Sequence, residues 1–501
     1  MSEPYYITTA ISYPNGAPHI GHAYEAIAAD AIARFQKARG RDVRFQTGTD
    51  EHGLKMAQAA RAEGTDPAIY AENMSAKFKA MCDALNVNYD RFIRTSEPDH
   101  HRASQAIWQA METNGDLYLG RYEGWYSVRD EAFYEESELT EGEGGKLSPQ
   151  GTPVDWTVEE SWFFKLSGYQ QRLLDHYAAH PEFIQPDSRR NEVLRFVEGG
   201  LNDLSISRTS FDWGIKVPGG DGAHVMYVWL DALTNYLTGL GYPDGGELFD
   251  RYWPANVHLI GKDVVRFHAV YWPAFLMSAK IALPKQIYGH GFLLSRGEKM
   301  SKSIGNVVDP LDLAARYGVD ALRYFLLREV TFGQDGSYSH EAIVGRVNAE
   351  LANSFGNLAQ RSLSMIFKNL GGVLPVPGEA EEDHSLLETV RTACRGTLPA
   401  EFECFAFAAG LEAWMAAVYA CNAYVDTTAP WGLKKTDPDR MAAVLGTLVV
   451  AIRELAQAVA PIIPGSSAKL IALIDSGEGG QPIAQPTPIF PRLELEEVAA
   501  A

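Results

Sequence analysis

Two imidazoles three residues apart, His19 and His22, flank Gly21 in His19-Ile20-Gly21-His22, just after a turn rich in Pro, Asn and Gly (Ser12 to Pro18). Far downstream, Lys299-Met300-Ser301-Lys302-Ser303 places two lysines and two serines between Gly297 and Gly305. On the first turn of a helix, residues i and i+3 share a face. That helix end carries partial positive charge and unpaired N–H groups, which suit phosphates. Gly21 has no side chain where an adenine ring must approach the backbone. A glycine-hinged lysine loop can close over a triphosphate when charge develops, and binding that is stronger in the transition state than in the ground state accelerates a step. Together the motifs supply what is needed to hold ATP while a carboxylate attacks its α-phosphate. Each alone has a plainer reading: a helix cap with two solvated histidines, or a solvated basic loop.

Further groups fit that chemistry. Thr49-Asp50-Glu51-His52-Gly53 puts Asp50 at a strand end, a natural counter-ion for a free amino acid's ammonium, with capping of the next helix as the structural alternative. Trp229-Leu230-Asp231-Ala232, Gly261-Lys262-Asp263, Phe267-His268 and Trp272 add rings and carboxylates at other strand ends. Asp263 can hold a ribose. Tyr13, Trp229, Phe267, His268 and Trp272 can line an apolar pocket holding one hydrogen-bonding imidazole. Such a pocket suits a thioether, because sulfur packs well against aromatic edges. Aromatic stripes also serve as ordinary core.

These residues need elements to position them. Residues 5–12 predict a strand, about 22–39 a helix ended by Gly40, and 42–46 a second strand. That order is a parallel βαβ unit with its ligand site beyond the carboxyl ends of the strands. From about 114 to 225 the chain turns aromatic and acidic, with a glycine-rich acidic loop (EGEGGK), and reads as an inserted α+β subdomain. Strand–helix alternation then resumes, and from about Pro310 the pattern is helical, with Val347 to Phe367 and Phe402 to Asp426 as long amphipathic candidates. The expected division is 1–113 and 226–295 as two halves of an α/β parallel-sheet domain, 114–225 as the insert, 296–349 around the lysine loop, and 350–501 as an all-α domain.

The chain has 501 residues, 46% apolar and 22% charged, which suits several soluble globular domains. Neither a secretory nor a transit signal is read at the N-terminus, and Met441 to Gly465, interrupted by Arg453 and Glu454, reads as a buried helix pair instead of a membrane span. Four scattered cysteines without a C-x-x-C pair exclude a disulfide scaffold, argue against a Cys-rich zinc site and suit a reduced cytoplasm. A net charge of −20 speaks against a nucleic-acid partner in bulk. Local basic clusters outweigh that average; the candidates are Arg296/Lys299/Lys302, Arg346/Arg361/Lys368 and Lys434/Lys435/Arg440.

The ordered segments AISYPNGAPHIGHAYE, TGTDEHG, YVWLDAL, LIGKDVVRFHAVYWPAFL, GHGFLLSRGEKMSKSIGN and ANSFGNLAQR, spread from Tyr6 to about Leu495, resemble class I aminoacyl-tRNA synthetases and specifically methionyl-tRNA synthetases. The resemblance implies a Rossmann-like catalytic domain with an inserted connective subdomain, a stem-contact region at 296–349 and an all-α anticodon-binding bundle. It implies two steps: L-methionine and ATP, as its Mg2+ complex, give methionyl-adenylate and pyrophosphate, and the methionyl group then passes to the 3′ end of tRNA(Met), initiator and elongator alike. On matching positions, His19, His22, Lys299 and Lys302 would serve catalysis, and with Gly21, Asp263 and Ser301 they would bind ATP. Ala10, Ile11, Tyr13, Asp50, Trp229 and His268 would bind methionine, with Asp50 on the ammonium. Asn357, Arg361 and Trp431 would read the anticodon, hydrogen-bonding and stacking on unpaired bases; the plainer alternative makes Asn357 and Arg361 a surface pair. Two departures from the family set further expectations. Residues 114–225 contain no cysteine, so no structural zinc and no other metal is expected. The chain stops soon after IFPRLELEE without an oligonucleotide-binding barrel, so a monomer is expected, cytoplasmic and with no membrane partner. The rivals are another class I synthetase and an inactive tRNA-binding paralogue. An insert of this length is too short for the editing domain of the branched-chain enzymes, and a pure binder needs neither motif.

Overall fold

The computed structural model describes residues 2–130, 132–142, 145–220, 222–295 and 307–495. By compactness the chain divides into two units, Met1–Ala29 with Arg39–His290 and Asp30–Ala38 with Gly291–Ala501.

The first unit is built on a six-stranded parallel sheet. Strand β1 (Pro4–Thr9) pairs with β2 (Asp42–Thr49), which pairs with β3 (Arg91–Arg94). On its other side β1 pairs with Val257–Gly261, followed by Ile287–His290 and Ile184–Gln185 at the edge. Aromatic and β-branched residues make β1 a strand buried along most of its length, as a central parallel strand must be. Helix α1 (Ile20–Ala38) connects β1 to β2; Gly40, at φ 83°, turns the chain just beyond it. Gly48 is required by packing: a Cβ there would lie 2.0 Å from the Ile93 carbonyl oxygen.

The insert forms its own antiparallel sheet, in which Leu117–Ser127 and Asp155–Phe164 pair from Leu117↔Phe164 to Tyr126↔Asp155. Helices Gln170–Ala179 and Asp187–Glu198 complete an α+β subdomain. One detail departs from the sequence reading: Ile184–Gln185, inside the insert, joins the main sheet. A hydrogen-bonded knot ties the insert's hairpins together. The Asp130 carboxylate accepts from Tyr134 (3.0 Å), Ser148 (2.7 Å) and Thr152 (2.5 Å), and Ser127 bridges to Thr152 at 2.7 Å.

The second unit is mostly helical, with one short parallel pair, Leu293–Ser295 against Gly336–Tyr338. Val347 to Asn369 is continuous helix, π-wound to Gly356 and α-helical from Asn357. The candidate helix over 402–426 is broken instead at Phe405, which adopts a left-handed φ of 59° between Leu398–Glu403 and Phe407–Thr428. The apolar stretch near 441–465 is Pro438–Val459 followed by Pro464–Asp475; the former is long and apolar enough to cross a membrane, and its Val444, Leu445, Leu448 and Ile452 are buried within the unit. The unit's buried Arg323 is satisfied by Asp30 at 2.6 Å and by the carbonyls of Ile462 (2.9 Å) and Pro461 (3.0 Å).

Candidate active site and anticodon surface

His19 lies immediately before α1 and His22 in its first turn, and their rings stack with centroids 3.8 Å apart. Backbone geometry fixes their tautomers. The Gly21 N–H donates to His19 Nδ1 at 3.1 Å, and the His19 N–H donates to His22 Nδ1 at 3.1 Å. With both Nδ1 atoms accepting, each neutral ring carries its proton on Nε2, where it is a donor. A Cβ on Gly21 would fall 2.9 Å from His19 Cε1, so a side chain there would displace the His19 ring. One turn on, Glu25 accepts from His290 Nε2 at 2.8 Å. Burial raises the Glu25 carboxyl, the His290 hydrogen bond opposes that rise, and the charge of Asp263 adds to it. Exposed Asp263 therefore belongs to the same strand-end region as α1.

Beyond β1 the chain continues through Ala10, Ile11 and Tyr13, all partly buried. The Ala10 N–H donates to Leu259 O (3.1 Å), Ser12 N–H to Gly48 O (2.9 Å), and Asp50 N–H back to Ser12 O (2.9 Å). This exchange fixes Asp50, 8% exposed, at the carboxyl end of β2. The Tyr13 hydroxyl accepts from the Met56 N–H at 3.2 Å.

Trp229 is the partly exposed residue of an otherwise buried helix, Val228–Thr238. Its ring stacks on Phe267 at 3.7 Å and 4° and meets His268 edge-on at 6.2 Å. Ala10, Tyr13 and Trp229 pack against one core cluster, which also holds Tyr236 and Phe267. A π-helical turn, Phe267–Tyr271, sets His268 so that its Nδ1–H donates to Val264 O at 2.9 Å. Its Nε2 then accepts the Tyr236 hydroxyl at 2.6 Å. Burial pushes the imidazole down from 6.5 to about 4 and the Tyr236 phenol well above its ordinary value. Trp272 sits behind this group, fully buried, 6.1 Å from the Tyr236 ring.

Tyr236 was not among the sequence candidates. The signal was there: it follows Trp229 by seven residues, two helical turns along the same face. Asp231, read as a strand-end carboxylate, is fully buried and committed to His52 (2.7 Å) and His100 (2.8 Å). Lys299, Ser301 and Lys302 lie outside the described residues.

In the helical unit Asn357 and Arg361, one helical turn apart, are both exposed. The Arg361 guanidinium stands 5.6 Å over the ring of Trp431, which is 51% exposed. An exposed indole with a guanidinium over its ring offers both stacking and hydrogen bonding to an unpaired base. Among the described residues no group of three or more His, Cys, Asp or Glu is arranged to hold a metal ion. Cys82, Cys394 and Cys421 are buried and Cys404 is exposed.

A parallel sheet with a His-x-x-His turn at the start of its first crossover helix, followed by a helical domain, is the architecture of a class I tRNA synthetase. Residues 5–363 match the family model described as "tRNA synthetases class I (M)", and residues 377–486 match "Anticodon binding domain of methionyl tRNA ligase". The methionine–tRNA ligase of Brucella suis biovar 1 is 56% identical over 99% of each chain. A Mycobacterium tuberculosis methionyl-tRNA synthetase solved in complex with methionyl-adenylate superimposes with a TM-score of 0.95 at 54% identity, covering 98% of this chain and all of that one. The apo form from the same organism gives 0.88 at 50% identity, with 99% of each chain covered. The chain belongs to the methionyl-tRNA synthetase family.

Proposed function

We propose that this chain joins L-methionine to tRNA(Met) at the expense of ATP. In the first step a methionine carboxylate oxygen attacks the α-phosphorus of ATP, presented as its Mg2+ complex; the bond to pyrophosphate breaks and methionyl-adenylate forms. In the second, a ribose hydroxyl at the tRNA 3′ end attacks the activated carbonyl and AMP departs.

The observation that carries this reading is the stacked His19/His22 pair, both rings held with Nε2 as the donor, at the start of the helix that follows β1. Two fixed N–H donors at a helix N-terminus suit the charge that builds on the α-phosphate. Lys299, Ser301 and Lys302 complete the ATP site in this reading, Gly21 admits the adenine, and Asp263 takes the ribose. Asp50 pairs with the substrate ammonium. Ala10, Ile11, Tyr13, Trp229 and His268, joined by Tyr236, enclose the thioether; with His268 neutral and its partner hydroxyl turned inward, the pocket presents rings and no charge. Asn357, Arg361 and Trp431 bind anticodon bases. The reading includes a cytoplasmic monomer.

The test is amino-acid-dependent ATP–pyrophosphate exchange without tRNA, with methionine, leucine, isoleucine, valine and cysteine in parallel. Exchange with methionine alone is expected. Exchange with another of the five overturns the pocket assignment, and none from folded protein overturns the chemistry.

A further inference from the structure

The buried cluster around Asp231 is not used by either step, yet it joins the two elements that the pocket depends on. Asp231 is fully buried. One oxygen accepts from His52 Nδ1 at 2.7 Å and the other from His100 Nε2 at 2.8 Å. His52 lies two residues beyond Asp50 on the loop leaving β2, and Asp231 two residues beyond Trp229 on the pocket helix. His100 comes from Pro98–Thr113 and is itself anchored by Thr238, at the far end of the pocket helix, at 2.9 Å. The loop is held from its other side by Trp213, whose Nε1–H donates to the Glu51 carbonyl at 2.6 Å and whose carbonyl accepts from the Gly53 N–H at 3.2 Å. A second tie joins the same strand and helix deeper in the fold, where Gln46 Nε2 donates to the Asn235 side chain at 2.8 Å.

A buried carboxylate between two imidazoles is a poor way to gain stability, since apolar side chains of similar volume commonly do as well or better. What it offers is direction. Each carboxylate oxygen fixes one ring nitrogen to within a few tenths of an ångström, and the two rings belong to different elements. Burial alone would raise the Asp231 carboxyl, but His52 and His100 hold it below the ordinary range, so it stays an acceptor on both sides.

We infer that Asp231, acting through His52 and His100, is a positioning residue that sets the spacing between the Asp50 strand end and the Trp229–Tyr236 pocket, and so the distance at which one ligand must present an ammonium and a thioether. The inference rests on the assignment of Asp50 and Trp229 to methionine made above.

The test compares L-methionine with γ-(methylsulfanyl)butyrate, which keeps the thioether and carboxylate and lacks the ammonium. Both dissociation constants are measured on wild-type chain and on His52→Phe, which keeps a ring against Trp213 and loses the donor. Methionine is expected to weaken about tenfold or more and the amine-free analogue by less than about twofold, with kcat of exchange and KM for ATP nearly unchanged. His52→Asn, whose amide N–H falls near the lost Nδ1, should restore most of the affinity. Asp231→Asn, close to isosteric, supplies the same comparison where His52→Phe does not fold. Equal weakening of both ligands, or no weakening of methionine, overturns the inference. A wild-type chain that binds no methionine overturns the underlying assignment first, and the two failures are distinct.

Discussion

The pocket imidazole gives the sharpest quantitative prediction. His268 donates through Nδ1 to the Val264 carbonyl, which can only accept, and takes the Tyr236 proton on Nε2. Adding a proton there would force the tyrosine to reverse its hydrogen bond inside a site without water-like polarisability. Burial accordingly lowers the imidazole from 6.5 to about 4. Between those values the unfolded chain binds this proton and the folded chain does not, so the site's stability is whole above pH 6.5 and is lost as pH falls toward about 4. The gap corresponds to about 3 kcal/mol at its acid limit. Methionine carries the same charges from about pH 8 to about pH 5, so its affinity should pass through that range without any step from His268. An ordinary imidazole that had to be neutral for binding would cost about thirtyfold at pH 5. NMR titration of the imidazole resonance absent from His268→Gln gives the midpoint directly, and equilibrium dialysis against pH gives the affinity. A midpoint near 6.5, or a thirtyfold loss of affinity that His268→Gln abolishes, would refute the tautomer argument.

Three further outcomes follow from the same geometry and from the motifs. Tyr236→Phe leaves His268 Nε2 buried without its donor, which costs about 1–3 kcal/mol; KM for methionine should rise about tenfold while KM for ATP holds, and a parallel rise in both would show general damage. Trp431→Ala should weaken tRNA charging and spare adenylate formation in pyrophosphate exchange; equal losses in both assays would sink the anticodon assignment. Lys302→Ala should slow adenylation about a hundredfold or more with methionine affinity nearly unchanged, and a large loss of methionine binding would mean the lysine supports the pocket instead.

What the sequence made legible was local. The βαβ start, the His-x-x-His turn and the end of α1 before Gly40 follow from adjacent residues whose preferences agree. Where the reading slipped, partners distant in sequence decide. The first strand stops at Thr9 instead of continuing unbroken to Ser12, although Ala10 and Ser12 still bond to Leu259 and Gly48 of its two neighbouring strands, Ser12 as an isolated parallel bridge to Thr49. The helix expected from Phe402 is broken at Phe405, in a segment with no proline or glycine near the break to announce it. Ile184–Gln185 is too short to carry a pattern, and only the edge offered by Ile287 makes it a strand. Asp231 was visible as a carboxylate but not as an interior one: its partners are 179 and 131 residues away. Nothing in a local window distinguishes a carboxylate that meets substrate from one that meets two histidines.

The histidines of this chain show why residue type alone underdetermines a site. His19, His22 and His268 each commit Nδ1 to the backbone within four residues, so folding settles the tautomer before any ligand arrives. In the first two Nδ1 accepts, which makes Nε2 a donor at a helix N-terminus, the form useful to a phosphate. In His268 Nδ1 donates, which makes Nε2 an acceptor, and a buried tyrosine proton fills it. One arrangement gives donors that suit anionic oxygen, and the other consumes polarity, as the proposed thioether pocket requires. The direction of a single backbone hydrogen bond decides between the two roles.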